Sequence, residues 1–470
     1  MTEILVGSAG WSYKDWAGIV YPDPLPKGFD ELAYLAQFVD CIEINSSFYR
    51  PPTPRMTEYW ARRTPDRFVF TAKAWAADWP GPWTELASDG TLSARIAVTA
   101  GTACPKATAD GADLLTTLRT RADDGFPVAV CEARAPAATR QLIVGDAPAP
   151  VLPPEVRRIA VIGDTGCRLE GHAIQDSNDT EAWPFAAIAQ RAAEHKPDLV
   201  IHVGDYYYRE SACPADRKGC ADSSHGDNWD TWEADFFEPA APLLAAAPWI
   251  MVRGNHELCR RGGHGWFRLL DPHPAPLECA DRTDPFRLHI GGLDLLWFDG
   301  ADADEFSASA AKVSTYAAQL AGLLAAVPPH AWLLTHRPIW ALAQGSLAGA
   351  NTNVTEQRAI EGQVPSGLDL ILSGHLHDFT SYEFGPRRPA QLIVGDSGDT
   401  LLALSNTPLT GAEIDGMRVA SGFALKRFGC FIMEASDGGW DGTLYSSDDT
   451  ILARCHLRSR SLECVPAQTQ

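Results

Sequence analysis

The sequence predicts a layered α/β fold. Short apolar runs alternate with helical stretches along most of the chain. Five of those runs end in a residue able to bind a metal ion, and in four of the five a glycine stands beside it. Strands alternating with helices form layered sheets, and ligands bind such sheets beyond the carboxyl ends of the strands. The pattern therefore predicts a metal site at one sheet edge.

Taken in order, residues 1–75 have a character of their own. Strand-like residues 4–6 precede Gly7-Ser8-Ala9-Gly10-Trp11-Ser12-Tyr13, a helical stretch covers 29–38, and strand-like residues 67–72 end at Lys73. This β-α-β-α-β order predicts the opening of a βα barrel, far short of the ~250 residues a whole one needs. Residues 76–155 change style. Strands at 93–99, 128–132 and 140–144, separated by glycine, proline and aspartate turns, predict a small antiparallel β domain. A stiff proline-rich connector at 147–154 closes it. Residues 156–470 carry the five strand ends, with helices expected at 183–195, 232–247 and 314–327. Further strands are expected at 288–298 and 391–394, and a β meander over 428–464.

The five strand ends carry the chemistry. Residues 159–162 lead to Gly163-Asp164-Thr165-Gly166, and 199–203 to Gly204-Asp205-Tyr206-Tyr207-Tyr208. Residues 249–252 lead to Gly254-Asn255-His256-Glu257, 331–334 to Thr335-His336-Arg337, and 370–372 to Gly374-His375-Leu376-His377. On neighbouring strands, Asp164, Asp205, Asn255, His336, His375 and His377 converge. Mixed oxygen and imidazole donors suit first-row metals, and one aspartate can bridge two cations. Lone histidines such as His202 and His289 read as structural or surface residues.

Composition narrows the substrate. With a net charge of −21, the chain repels nucleic-acid backbones. A phosphate substrate therefore needs local positive charge from bound metal. No run reaches the roughly 18 apolar residues of a membrane helix; residues 317–327 are too short. Residues 1–10 lack the basic start and apolar centre of a signal peptide. Eleven cysteines nevertheless point to an oxidising compartment, periplasmic or extracellular. Cys213 and Cys220, Cys259 and Cys279, Cys455 and Cys464, and Cys104 and Cys131 are near neighbours in sequence. Pairing itself is not fixed by sequence.

The order G-D-x-G, G-D-x-x-Y, G-N-H-E, x-x-x-H, G-H-x-H resembles the calcineurin-like metallophosphoesterases over residues 158–400, and the G-D-x-x-Y form resembles purple acid phosphatases. The resemblance implies a four-layer αββα sandwich and a binuclear hydrolase of phosphate monoesters. Asp205 would bridge the two metals. Asp164, Tyr208 and His377 would complete one site; Asn255, His336 and His375 would complete the other. His256 would protonate the leaving oxygen or stabilise the developing charge. Many relatives carry histidine where this chain has Gly166, so Tyr208 would have to replace an imidazole. A phenolate donor favours Fe(III), partnered by zinc, iron or manganese in divalent form. Glu257 is expected to orient neighbours. Arg253 and Arg337 are candidate phosphate contacts, because guanidinium pairs with phosphate bidentately. The alternatives are a phosphodiesterase acting on nucleotides or lipid head groups and a catalytically silent metal-binding module. Separately, G-W-S-Y-x-x-W, E-I-N-S-x-F-Y and F-x-F-x-x-K in the first 75 residues resemble domain-of-unknown-function family 72, a TIM-barrel family. That resemblance implies former catalytic roles for Glu43, Asn45 and Lys73.

Overall fold

A computed structural model describes residues 5–11, 13, 16–44, 54–65, 67–72, 81–275, 278–344, 350–402 and 409–467. Asn45 and Lys73 lie outside the described residues. The chain divides into two compact units, Met1–Trp79 and Pro80–Gln470.

The first unit holds β1 (Gly7–Ala9), α1 (Glu31–Leu35), β2 (Cys41–Ile44), α2 (Pro54–Ala61) and β3 (Val69–Ala72). The strands pair in parallel in the order β1-β2-β3. Leu32, Leu35, Ile42, Ile44 and Trp60 form its core.

The second unit is built on two large sheets, beside a four-stranded sheet and two two-stranded ones. It opens with β4 (Trp83–Leu86), β5 (Leu92–Thr99), β6 (Thr116–Thr120) and β7 (Val128–Ala135). Next come β8 (Arg158–Ile162), α3 (Phe185–Glu194), β9 (Leu199–His202), α4 (Trp229–Trp232), α5 (Glu238–Leu244) and β10 (Trp249–Met251). The second sheet's elements are β11 (Phe286–Ile290), β12 (Leu293–Trp297), α6 (Ala310–Leu324), β13 (Ala331–Leu334), α7 (Val354–Ile360), β14 (Leu368–Ser373), β15 (Phe379–Glu383), β16 (Ala390–Val394) and β17 (Ser421–Leu425). The chain closes with β18 (Cys430–Ser436), β19 (Gly439–Tyr445), β20 (Ile451–Arg458) and β21 (Ser461–Pro466). One sheet runs β21-β20-β19-β18-β8-β9-β10-β4-β5-β7-β6, the other β11-β12-β13-β14-β16-β15-β17.

Period-2 alternation sets the layers. On the second sheet Leu295, Trp297, Leu334, Leu372 and Val394 face the first sheet and share its core. The intervening Leu296, Phe298, Leu333, Ile371 and Ile393 pack under Tyr316, Leu320 and Leu324 of α6 and Ile360 of α7. The Trp297 indole donates across the gap to the Met251 carbonyl at 2.8 Å. On the far side of the first sheet lie Phe185, Ile188 and Ala192 of α3 and Leu243 and Leu244 of α5. The result is an αββα sandwich.

Three expectations change. The stretch 76–155 divides: Ala107–Ala109, Ala112–Leu114, Leu142–Val144 and Ala147–Ala149 form a four-stranded antiparallel sheet of their own, while the other strands join the larger first sheet. There β4 pairs with β10 through Glu85 and Trp249, and β5, β7 and β6 extend the same sheet. An unpaired β10 edge would leave backbone donors open; β4 covers it, and Trp83 packs on Phe237 with ring centroids 5.0 Å apart. The strand expected at 288–298 is a hairpin, because Gly291 and Gly292 both take positive φ, +53° and +86°, as a tight primed turn requires. The helix expected from 232 starts at Trp229, capped by the Asn228 side chain, and passes through a π turn at Glu233–Phe237. Pro239 is tolerated because it lies in the first turn of α5.

The four near-neighbour cysteine pairs are disulfides: Cys104–Cys131, Cys213–Cys220, Cys259–Cys279 and Cys455–Cys464. Four disulfides are consistent with an extracellular location. Among the described residues, no helix is long and apolar enough to cross a membrane.

Candidate metal centre

The five strand ends belong to two sheets. Parallel neighbours β8, β9 and β10 deliver Asp164, Asp205 and Asn255; β13 and β14, also parallel neighbours, deliver His336 and His375. Because the sheets stack, the ends meet. Asp164, Asp205 and His375 all hold left-handed backbone, with φ of +53°, +60° and +70°. Side-chain-bearing residues adopt that region at a cost, and such residues cluster at functional sites.

One group gathers round Tyr208. Its hydroxyl lies 3.1 Å from Asp164 Oδ1, 2.8 Å from Asp205 Oδ2 and 3.2 Å from His377 Nε2. Position 166 explains why a tyrosine is there. A Cβ on Gly166 would stand 2.8 Å from Asp235 Oδ2, 2.8 Å from the Tyr206 carbonyl and 2.9 Å from Tyr208 Cδ2. The space a histidine would use is filled by the Tyr208 ring and its loop. Tyr206 and Tyr207 are packing residues, stacked on His202 and Trp232.

The second group is Asp205, His336 and His375, each offering one donor atom within 4.8 Å of the others. Asn255 joins it, its Oδ1 3.2 Å from His336 Nε2. His336 Nδ1 sits 2.8 Å from the Val203 carbonyl, and His377 Nδ1 3.1 Å from the Thr400 carbonyl. Held there by Nδ1, both rings turn Nε2 inward, the arrangement metal-binding histidines show, and a cation would take the place of any proton on Nε2. Burial alone would lower His336, but the Asp205 carboxylate beside it lifts it to about 9. Burial pushes Asp205 upward too, yet His336 and His256 hold it well below the usual carboxylate range. Asp164 is raised by burial and by the Asp205 charge. Burial, Asp205 and Asp164 also raise Tyr208. Buried acidic groups packed this closely call for compensating positive charge. The donor set, two carboxylates with a phenol, an amide and imidazoles, therefore fits metal cations.

Glu257 ties two of the loops together. Its carboxylate accepts from the backbone N–H of Gly254, Asp205 and Tyr206 at 2.9, 3.1 and 2.9 Å. Burial and the Asp205 charge lift it to about 8. A Cβ at Gly254 would meet Asp205 Oδ1 at 2.1 Å, so that close approach needs glycine. The His256 ring lies against Tyr208, tilted by 40° with centroids 3.8 Å apart. Its Nδ1 lies 2.8 Å from Glu210 Oε1, and its Nε2 lies 4.0 Å from Asp205 Oδ2. Burial lowers its pKa to about 4.

The two arginines part company. Arg253 is fully buried, and its guanidinium is committed to the Glu257 and Ala280 carbonyls and to Asp299. It braces the loop and is not placed to contact phosphate. Arg337 does border the site: its Nη1 lies 2.9 Å from His375 Nε2, and it pairs with Glu305. His202 is structural, bonded to the Thr165 hydroxyl and to the Gly204 N–H, and His289 lies on the surface with Asp294.

Four residues escape sequence reasoning. Asp399 lies 3.3 Å from His377 Nδ1, Glu305 Oε1 lies 2.6 Å from His375 Nε2, and Glu210 pairs with His256. Arg168 stacks over the Tyr208 ring, 4.6 Å from its centroid. Arg168 follows the first motif by two residues, which is a faint signal. The others come from loops that spacing alone does not bring to the site.

Residues 157–379 match the family profile described as calcineurin-like phosphoesterase. The chain carries a calcineurin-like phosphoesterase domain. Such a domain is that of a metal-dependent phosphoester hydrolase. Residues 5–77 match the profile described as protein of unknown function DUF72. Among solved structures, the chain is similar in fold to a purple acid phosphatase, PPD1, from yellow lupin (Lupinus luteus) seeds. That match has 12% identity and a TM-score of 0.53, covering 82% of this chain and 75% of the other. It is also similar to PhoD, at 12% identity and a TM-score of 0.51, covering 84% and 94%. No curated protein matches. The phosphoesterase domain thus spans all five strand ends except the last turn of the site, where Asp399 and Thr400 contribute.

Proposed function

We propose that this chain is a binuclear metallohydrolase of phosphate monoesters, of the purple acid phosphatase type. The observation that carries the reading is the Tyr208 hydroxyl, set within 3.2 Å of Asp164, Asp205 and His377 where Gly166 leaves no room for an imidazole. Asp164, Tyr208 and His377 would hold one cation, Asn255, His336 and His375 the other, with Asp205 shared. Phenolate is a hard anionic donor, which favours Fe(III) in the first position beside divalent zinc, iron or manganese.

Bound cations supply Lewis-acid neutralisation of the phosphoryl charge and activate the attacking water. The protein's own groups do the rest. Glu257 holds the Asp205 and Asn255 loops in register. His256 stands beside the site on Tyr208 and would donate through Nε2 to the leaving oxygen, with Glu210 on Nδ1 fixing the ring. A phosphate dianion beside the buried imidazole supplies the charge that favours its protonated form. The disulfides support work outside the cytosol, in a periplasm or extracellular fluid.

The test combines metal analysis with hydrolysis of one chromogenic monoester and one diester. Two metal ions per chain and faster monoester turnover are expected. Faster diester turnover would make the enzyme a phosphodiesterase, and inertness toward both in the metal-loaded protein would leave a silent binding module.

A further inference from the structure

A phosphomonoester dianion carries one more negative charge than a diester, and this chain has a net charge of −21. Fixed cationic groups at the site therefore decide which ester it prefers. Arg168 is built in as such a group. Its Nε donates to both oxygens of Asp399 at 3.1 Å, its Nη2 donates to Asp399 Oδ2, and its Nη1 donates to Glu170 Oε2 at 2.7 Å. A guanidinium carries five N–H groups. These contacts engage three and leave one on each Nη. The one on Nη2 is directed at His377 Nε2, 3.5 Å away, and the guanidinium carbon stands over the Tyr208 ring. Arg168 is thus held against the Asp164, Tyr208 and His377 group rather than directed into solvent, yet its side chain is 18% exposed, so a ligand can reach it. Glu170 is itself held by Arg261 at 2.8 Å, which stiffens the clamp. A guanidinium fixed beforehand binds without the usual ordering cost.

We infer that Arg168 is the specificity-determining contact of this site: its guanidinium binds non-bridging oxygens of a phosphomonoester dianion lying over Asp164, Tyr208 and His377, through the N–H left on Nη1 and, when a cation takes His377 Nε2, through the one on Nη2 that now faces that nitrogen. The inference rests on the phosphoesterase reading above and names what makes the site prefer monoesters. A diester offers one charge fewer to the fork, so it gains less from it.

The experiment uses the full-length, metal-loaded protein with Arg168→Ala and Arg168→Lys. Values of kcat/KM are measured for p-nitrophenyl phosphate and bis(p-nitrophenyl) phosphate, with inhibition by inorganic phosphate, metal content and a melting curve. Loss of charge-assisted bonds predicts a ~10–100-fold fall in monoester kcat/KM in the alanine variant, at least tenfold greater than the fall for the diester. The phosphate inhibition constant should rise in parallel, metal content should hold, and lysine should recover only part of the loss, having charge without the fork. Equal losses on both esters, or loss of metal, would show Arg168 to be only a brace for Asp399 and His377 and would overturn the inference. An unchanged phosphate inhibition constant would overturn it as well. Failure of the functional reading looks different: the wild-type protein itself would be inert, or would favour the diester.

Discussion

Tyr208 occupies the space that Gly166 leaves: a Cβ at position 166 would stand 2.9 Å from Tyr208 Cδ2, and the phenol oxygen ends among Asp164, Asp205 and His377. A phenolate on Fe(III) absorbs visible light by charge transfer. The oxidised, metal-loaded protein is therefore expected to be coloured, and Tyr208→Phe to lose the band while keeping its fold. The measurement is a visible spectrum beside a melting curve. A colourless, fully active protein containing only zinc would make Tyr208 a packing residue like Tyr206.

His256 is expected to act on the leaving group without holding metal. His256→Ala should lower turnover by roughly 10²–10⁴, the usual worth of a positioned proton donor, with metal content unchanged. Elemental analysis of the variant is the deciding measurement, because a lost ion would mean that His256 is a ligand.

Most of this site is legible in the sequence, and the reason is geometric. An apolar strand ending in a ligand fixes that ligand at a sheet edge whichever sheet the strand joins. Asp164, Asp205, Asn255, His336, His375 and His377 are readable this way, although β13 and β14 lie in a different sheet from β8, β9 and β10; Tyr208 comes only from the resemblance of its G-D-x-x-Y motif. What spacing does not carry is tertiary pairing. The residues expected to form a β domain at 76–155 have strand patterns, but nothing local says that β4 will pair with β10. Arg253 reads as a phosphate contact beside the Asn255 motif, and only its burial among the Glu257 and Ala280 carbonyls shows otherwise. Asp399 reaches His377 from a loop that carries no motif. The Gly291-Gly292 turn breaks the stretch read as strand at 288–298, although two adjacent glycines between apolar runs are a hairpin signal.

Glu356 gives the fold a pH dependence of its own. It is fully buried on α7, and loss of hydration lifts its carboxyl to about 8, against the opposing influence of Asn353 and Arg337. The folded state therefore holds a proton that the unfolded chain releases near pH 4.5. Stability from this group is complete below about 4.5 and is lost as pH rises toward 8, by up to about 1.4 kcal/mol per pH unit. Between pH 5 and 8 the melting temperature of the wild type should fall relative to that of Glu356→Gln, whose amide does not titrate. A constant difference across that range would mean that Glu356 is already ionised in the folded protein.

The last prediction concerns the two units. All the proposed ligands, His256, Arg168 and the four disulfides lie in Pro80–Gln470. The first unit has its own small core and carries Cys41 without a disulfide. Its three strands are parallel, and none of the proposed ligands belongs to it. The second unit has two large cores of its own, whose described residues begin at Trp83. A chain beginning at Pro80, supplied with a secretion signal so that its disulfides form, is therefore expected to fold and to keep its phosphoesterase rate per metal-loaded site. The comparison is turnover, metal content and melting temperature for the shortened and full-length chains. If the shortened chain aggregates, or binds metal and loses turnover, the first 79 residues are an integral part of the enzyme's fold, and the division at Trp79 does not mark an independent body.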